Sequence, residues 1–441
     1  MSTIIAKSQK ANHLTVKTPW VTFFFLTVIF FFSLYNFSIS LMDIYQIPDE
    51  TYVKAVSEGN IMRRLAFLTL GLFGVISILR KGLAGIRING ALGWLILFFL
   101  CWAFLSIAWA DDISLTFRRL VVLSMLCLGV LAVSKNFSLR DIIWFTVFST
   151  ILYLIIGLSV EIFLGTFRPF AQGYRFTGTL NPNMQALNCA LLFLSGVATA
   201  QKAKRGYKFF LACALTLIGL GFLILTGSRT AFACVIFSFI SYWVMVSSRV
   251  SKLAFVLCLG FTFCLLLLFA GETFYPTLRQ VILLGRESYT TYSLSGRIPL
   301  WKELLEYVAM NPFHGYGYQC FWNPRHIHEI STMQGWQVYG SHSVYVQLLL
   351  GVGIVGMVTY VLILIIGIVR SFLNYRACGR TGYAFIGALL VFCALDGLME
   401  GAFFEPRLPT FIIWVALVQL AFKDLHAYNE NNSNSRQISI Y

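Results

Sequence analysis

Ser341-His342-Ser343 stands where a long polar segment meets an apolar run that continues to Ile368. An imidazole there sits at the start of a membrane helix, with Gly351, Gly353 and Gly356 close behind it. Small residues in that position let a neighbouring helix approach closely. Neutral imidazole is suited to take a proton from a weak nucleophile, so His342 is a candidate general base. The plainer account is a loop histidine capping a helix, with glycines for packing.

A set of arginines bears on that choice. Arg118 and Arg119 follow Asp111-Asp112, Arg168 and Arg175 fall between two apolar runs, and Arg297 opens an amphipathic segment. Arg229 lies in the turn Thr226-Gly227-Ser228-Arg229-Thr230, which is so short that its guanidinium must stay at the membrane surface. Guanidinium forks bind phosphate oxygens bidentately, so several converging there would hold a lipid diphosphate at the interface. The competing account is that each arginine snorkels to headgroups or pairs with a carboxylate. Arg175 and Arg229 resist it best, because no acidic residue lies close to either in sequence. A helix N-terminus beside several cations disfavours imidazolium and keeps His342 in its basic form.

Other candidates are weaker. His326-x-His328-Glu329 invites a metal, but the spacing suits no common helix motif and no carboxylate cluster lies nearby. The ten cysteines contain no CxxC pair, and eight of them lie in apolar runs, so they read as small buried hydrophobes.

The elements that must position these groups follow from composition. Of the 441 residues 58% are hydrophobic and 12% charged, and the mean hydropathy is +0.76. Soluble globular chains carry about 25% charged residues, so this is an integral membrane protein. Its apolar runs are long and uninterrupted, which points to an all-α membrane domain and away from a barrel. Twelve spans are expected, at about 20–42, 62–79, 91–109, 117–133, 142–164, 184–200, 209–226, 230–247, 253–270, 344–369, 383–399 and 408–422. The first is long for a signal-peptide core and is read as an uncleaved span.

Charge sets the orientation. With the N-terminus cytoplasmic, the cytoplasmic segments carry 19 of the 33 basic residues against Asp141, Asp424 and Glu430. That surplus is the positive-inside pattern, so the net charge of +15 reports topology rather than nucleic acid. Both termini are placed in the cytoplasm, with a tail at 423–441. The chain reads as one polytopic domain over 1–441, with the exterior segment 271–343 inserted in it. Within that segment 297–308 reads as a helix, Asn311-Pro312 ends it, and Gly315-Tyr316-Gly317-Tyr318 turns.

Taken together, these stretches resemble the bacterial O-antigen ligase and polymerase family. The family pattern is His-[Asn/Ser/Gln]-x9-Gly-x-x-[Gly/Thr/Tyr], which His342, Ser343, Gly353 and Gly356 match in full. Further similar stretches are Arg175 to Asn183, Thr226 to Ala231, Ser295-Gly296-Arg297 and Asn311 to Gly317, and the likeness runs from about 90 to 420. It implies metal- and nucleotide-independent glycosyl transfer from an undecaprenyl-diphosphate donor on the periplasmic face of the inner membrane, with no cofactor. His342 would be the catalytic residue and Arg175, Arg229, Arg297 and Arg118 the diphosphate or acceptor contacts, supported by Ser228, Ser343, Asn181 and His314. The acceptor would be lipid A-core in a ligase or a growing polysaccharide in a polymerase, and the full histidine motif favours the ligase. A secondary transporter of polysaccharide or glycolipid is the reading from another class. It would show repeated halves and midplane polar sites, whereas here the polar residues gather at one face.

Overall fold

The computed structural model describes residues 19–34, 60–82, 88, 90–203, 206–248, 296–401 and 404–422. The expected span at 253–270, the first part of the exterior segment (271–295) and the tail at 423–441 lie outside the described residues. Thirteen α-helices and no strand occur among those described. They are α1 (Trp20–Leu34), α2 (Ile61–Lys81), α3 (Gly90–Leu105), α4 (Ile113–Asn136), α5 (Leu139–Phe163), α6 (Pro182–Lys202) and α7 (Tyr207–Leu225). After these come α8 (Arg229–Val246), α9 (Arg297–Met310), α10 (Pro324–Gln334), α11 (Val344–Cys378), α12 (Thr381–Asp396) and α13 (Leu408–Phe422). Seven described helices are long and apolar enough to cross a membrane, and α1, α12 and α13 are shorter apolar helices.

Helix starts are written into the sequence as caps. Asn60, Asp112, Asn181, Asn323 and Ser343 each accept from a backbone N–H in the first turn of the helix they precede. Ser138 and Asp141 form a reciprocal capping box on α5. Such caps satisfy donors that have no partner within the helix. Pro182 and Pro324 occupy first-turn positions, where a missing N–H costs nothing.

α6 is largely buried, as are α12 and α13, and it packs against α5, α7, α8 and α12. It carries Gln185, Asn188 and Ser195 among buried residues, and it is absent from the seven apolar spans. Its fit against α7 rests on two glycines. A β-carbon at Gly219 would lie 2.8 Å from Phe193 N, and one at Gly196 would lie 3.0 Å from Thr216 N. Backbones that close leave no room for a side chain.

The segment between α8 and α11 has its own apolar core. Leu300, Leu304, Tyr316, Phe321, Trp322, Ile327, Ile330 and Val338 pack together and onto Leu350 of α11. α9 continues to Met310 and ends at Asn311, as the sequence suggests. α10 was not legible in the sequence, where its histidines and charges mask a short helix with two isoleucines on its inner face. His326 points into this core, stacked on Phe321 with centroids 4.5 Å apart, and its Nδ1 pairs with Phe321 O at 2.8 Å. His328, two residues on, is exposed. The two rings point apart, and His326 is a packing residue.

α11 is broken at Gly353, whose φ of 67° is left-handed. The interruption frees backbone groups that a membrane helix must satisfy inside protein. The turn at 311–318 and Trp102 of α3 supply partners. Ile354 N donates to Pro312 O at 2.8 Å, Tyr316 N donates to Leu350 O at 2.8 Å, and Trp102 Nε1 donates to Val352 O at 2.9 Å. A β-carbon at Gly353 would fall 2.2 Å from Phe313 O. Gly353 therefore serves a loop docked into a broken helix, rather than the helix-to-helix contact expected from the sequence.

Candidate active site

His342 sits immediately before α11, with a left-handed φ of 52°. Only one other described non-glycine residue, Gln319, has a positive φ. Both of the histidine's neighbours are pinned. Trp301 Nε1 donates to Ser341 O at 2.7 Å, and Ser341 Oγ donates to Ser343 O at 2.8 Å. Val344 N donates to Gly397 O at 2.8 Å, which ties the start of α11 to the end of α12. Ser343, not His342, is the cap of α11. That removes the helix-cap account of the histidine. Its ring is half-buried beside Trp336, with centroids 6.3 Å apart, and makes no hydrogen bond among the described residues. Burial and then the Arg297 charge push its pKa down to about 4, while Glu405 pulls the other way. At neutral pH the ring is uncharged, with a lone pair to offer.

Arg297, the first residue of α9, is half-buried and forms an ion pair with Glu400 at 2.7 Å. The same Glu400 oxygen accepts from Asn183 Nδ2 at 2.7 Å, and Asn183 Oδ1 accepts from Arg175 Nη2 at 3.0 Å. Arg175 Nε donates to Thr226 O at 2.7 Å, in the turn that carries Gly227, Ser228 and Arg229. Four sequence-distant elements thus close into one polar chain. Burial raises the Glu400 carboxyl above the usual carboxylate range, against the pull of Arg297, Arg175 and Asn183.

Arg175 is held from behind by Glu161, near the end of α5. Its Oε1 accepts from Thr177 N at 2.8 Å, Thr177 Oγ1 at 3.0 Å and Gly178 N at 2.7 Å, and its Oε2 accepts from Tyr174. Gly178 in turn lies against Gly157, where a β-carbon on Gly178 would be 2.8 Å from Gly157 Cα. This buried carboxylate fixes the connector on which Arg175 rides.

The remaining expected residues divide. Arg229 opens α8 two residues beyond the Gly227 that Arg175 packs against, and Ser228 is buried at the cap position. Asn181 caps α6, which places it in a structural role two residues from Asn183. His314 sits 5.5 Å from the Trp109 ring, and its carbonyl accepts from that indole at 3.0 Å, in the turn docked into α11. Arg118 lies on α4, with Nε 3.4 Å from Ser114 O of its own helix. Sequence reasoning missed Glu400, Asn183 and Glu161. For the two carboxylates the available signal was their place beside arginine-bearing connectors, and Asn183 gave none.

Residues 214–361 match the family model described as O-antigen ligase. The chain carries an O-antigen ligase domain. The matched stretch holds the Thr226–Arg229 turn, Arg297, the docked turn, His342 and Gly353, while Arg175, Asn183 and Glu400 lie outside it. No curated protein matches the chain. The match lies in a bundle that includes seven described helices long and apolar enough to cross a membrane, and the family it points to is broadly one of glycosyltransferase-type enzymes of lipid-linked glycans.

Proposed function

We propose that this O-antigen ligase family protein transfers a glycan from an undecaprenyl-diphosphate donor to a sugar hydroxyl of lipid A-core, on the periplasmic face of the bacterial inner membrane. Twelve spans with both termini in the cytoplasm put His342, Arg297 and Arg175 on that face. In this mechanism the guanidiniums of Arg175, Arg229 and Arg297 hold the diphosphate. The bond from the sugar's anomeric carbon to the diphosphate oxygen breaks as the acceptor oxygen bonds to that carbon. His342 takes the acceptor's proton, and the diphosphate leaves with its charge held by the arginines. A diphosphate is already a good leaving group, so neither nucleotide nor metal has to supply driving force.

The observation that carries this reading is the His342–Arg297 neighbourhood. An uncharged imidazole with no hydrogen-bond partner among the described residues lies in the field of a cation, which is itself oriented by Glu400. An arriving diphosphate would offset the Arg297 charge that depresses the ring, and so make His342 a stronger base when substrate is bound.

The test is transfer by purified protein from undecaprenyl-diphosphate-linked glycan, with chelator present and no nucleotide. Lipid A-core and a second lipid-linked repeat unit are offered as acceptors in parallel. Product on lipid A-core is expected. Product only on the repeat unit would make the protein a polymerase with the same chemistry, and dependence on a nucleotide or metal would overturn the mechanism.

A further inference from the structure

Three tryptophans are exposed among the described residues. Trp20 opens α1 and Trp94 lies in α3, apolar helices on which an indole can rest at the edge of the bilayer. Trp336 differs. It lies outside every described helix, two residues past α10, and 41% of its surface is exposed. Its ring centroid is 6.3 Å from that of His342, with 33° between the planes. Rings that far apart leave much of the indole face uncovered.

The connector braces this ring on both sides. Gly335 closes α10 with a left-handed φ of 69°, and its N–H donates to Ser331 O. Gln334 Nε2 donates to Glu303 Oε2 at 2.6 Å, and Val338 N donates to Ser331 Oγ at 3.0 Å. Val338 itself is buried in the core of the segment. Further on, Trp301 Nε1 fixes Ser341 O. Between Trp336 and His342 stands Gly340, where the fold makes no demand for glycine. Its φ is not positive, and a β-carbon there would meet nothing within 4 Å. Open space above a bare backbone leaves room for a ligand to approach closely.

The chemistry of transfer needs such room at this place. For His342 to take its proton, an acceptor hydroxyl must come within about 3 Å of the imidazole. The sugar ring that bears this hydroxyl then lies in reach of an indole 6.3 Å away. A pyranose is polar at its rim but carries C–H bonds on its faces, whereas the face of an indole is electron-rich. The two faces therefore stack, and an indole offers broad contact with little rotamer freedom to lose.

Resting on the reading above, we propose that Trp336 is a sugar platform: the terminal pyranose of the acceptor lies on its indole face and over the Gly340 backbone, with one hydroxyl directed at His342.

The test uses full-length protein in phosphatidylcholine nanodiscs, with donor and acceptor concentrations varied in turn. Trp336→Leu keeps an apolar side chain without the aromatic face, Trp336→Phe keeps a smaller face, and Gly340→Val fills the open space above residue 340. Trp336→Leu and Gly340→Val are each expected to raise the acceptor KM about tenfold or more, as loss of an aromatic stacking partner does. The donor KM should stay within about twofold, and Trp336→Phe should recover most of the acceptor affinity. The core oligosaccharide freed from its lipid, titrated calorimetrically, should bind the unaltered protein and bind Trp336→Leu about tenfold more weakly.

An unchanged acceptor KM in Trp336→Leu or in Gly340→Val overturns the platform. Equal losses for donor and acceptor would make Trp336 a membrane anchor, and a loss for the donor alone would move it to the donor. If Trp336→Phe is no better than Trp336→Leu, the aromatic face is not what binds. The choice of acceptor is judged separately. If the unaltered protein transfers only to a lipid-linked repeat unit, the ligase reading falls, and the same variants judge the platform on that acceptor. If it transfers to neither, calorimetry with the free core and repeat-unit glycans decides. No binding by the unaltered protein, or equal binding by Trp336→Leu, then overturns the platform as well.

Discussion

Arg297 Nη2 lies 2.7 Å from Glu400 Oε1, in an ion pair that joins the first residue of α9 to the segment beyond α12. Both side chains are largely buried, at 15% and 12% exposure. A pair of that kind is weak evidence for stability, because desolvation offsets much of the attraction. Its effect is geometric. Glu400 takes a second hydrogen bond from Asn183, and Asn183 takes one from Arg175, so one carboxylate sets the spacing of two arginines.

Glu400→Gln should therefore lower transfer by one to two orders of magnitude, roughly the loss that follows removal of a supporting residue. The amide keeps the size but gives up the charge that orients Arg297. In a double-mutant cycle with Arg297→Lys the two losses should be strongly non-additive, since the residues act as a unit. Additive losses, or near-normal transfer by Glu400→Gln, would make this ion pair a bystander.

Gly353→Ala should cost more than an ordinary helix substitution. Left-handed backbone with a β-carbon carries a strain of about 1–3 kcal/mol, and here the added carbon would also strike Phe313 O. The docked turn at 311–318 should loosen, and protease cutting within it should rise. Gly356→Ala is the comparison, because its nearest obstacle is the Val352 side chain of the same helix rather than backbone. Equal tolerance at both positions would show that the break in α11 is not required.

How much of this was legible in the sequence differs by element. The apolar runs gave the helices, since period and length suffice when a whole span must be apolar. Asn181 and Ser343 were expected as supporting residues of the site and turn out to be helix caps, whereas the short Thr226–Arg229 turn was read directly. The break in α11 was hidden, because Gly353 reads as a packing glycine until the turn that fills the gap is placed. Glu400 and Asn183 were hidden for a different reason. Each makes sense only through a partner far along the chain, and periodicity carries no information about which connector meets which. His342 was legible as a residue, but the left-handed backbone that aims it was not.

The orientation can be checked by labelling. In a cysteine-free background, a cysteine replacing Lys202 at the end of α6 and one replacing the exposed Arg325 of α10 should react from opposite sides of the membrane. An impermeant maleimide applied from the periplasm should modify position 325 alone. Modification of both from one side would overturn the placement of His342 on the periplasmic face.

The sharpest prediction concerns the protonation of His342. Its pKa of about 4 in the free protein follows from burial first and the Arg297 charge second. The acid limb of kcat/KM, which reports the free enzyme, should thus fall away only as pH drops towards about 4. Bound diphosphate offsets the Arg297 cation, so the limb in kcat, which reports the complex, should lie at higher pH. Arg297→Gln should move the kcat/KM limb upward as well, because removing a neighbouring cation favours imidazolium. The substitution that isolates the base is His342→Asn. Asparagine tolerates the left-handed backbone at this position and cannot take up the proton, so the fold should persist while transfer falls by about two to four orders of magnitude. Donor binding should be retained, since the arginines are untouched. Robust transfer by His342→Asn, or acid limbs that coincide in kcat and kcat/KM, would show that the proton leaves the acceptor by another route.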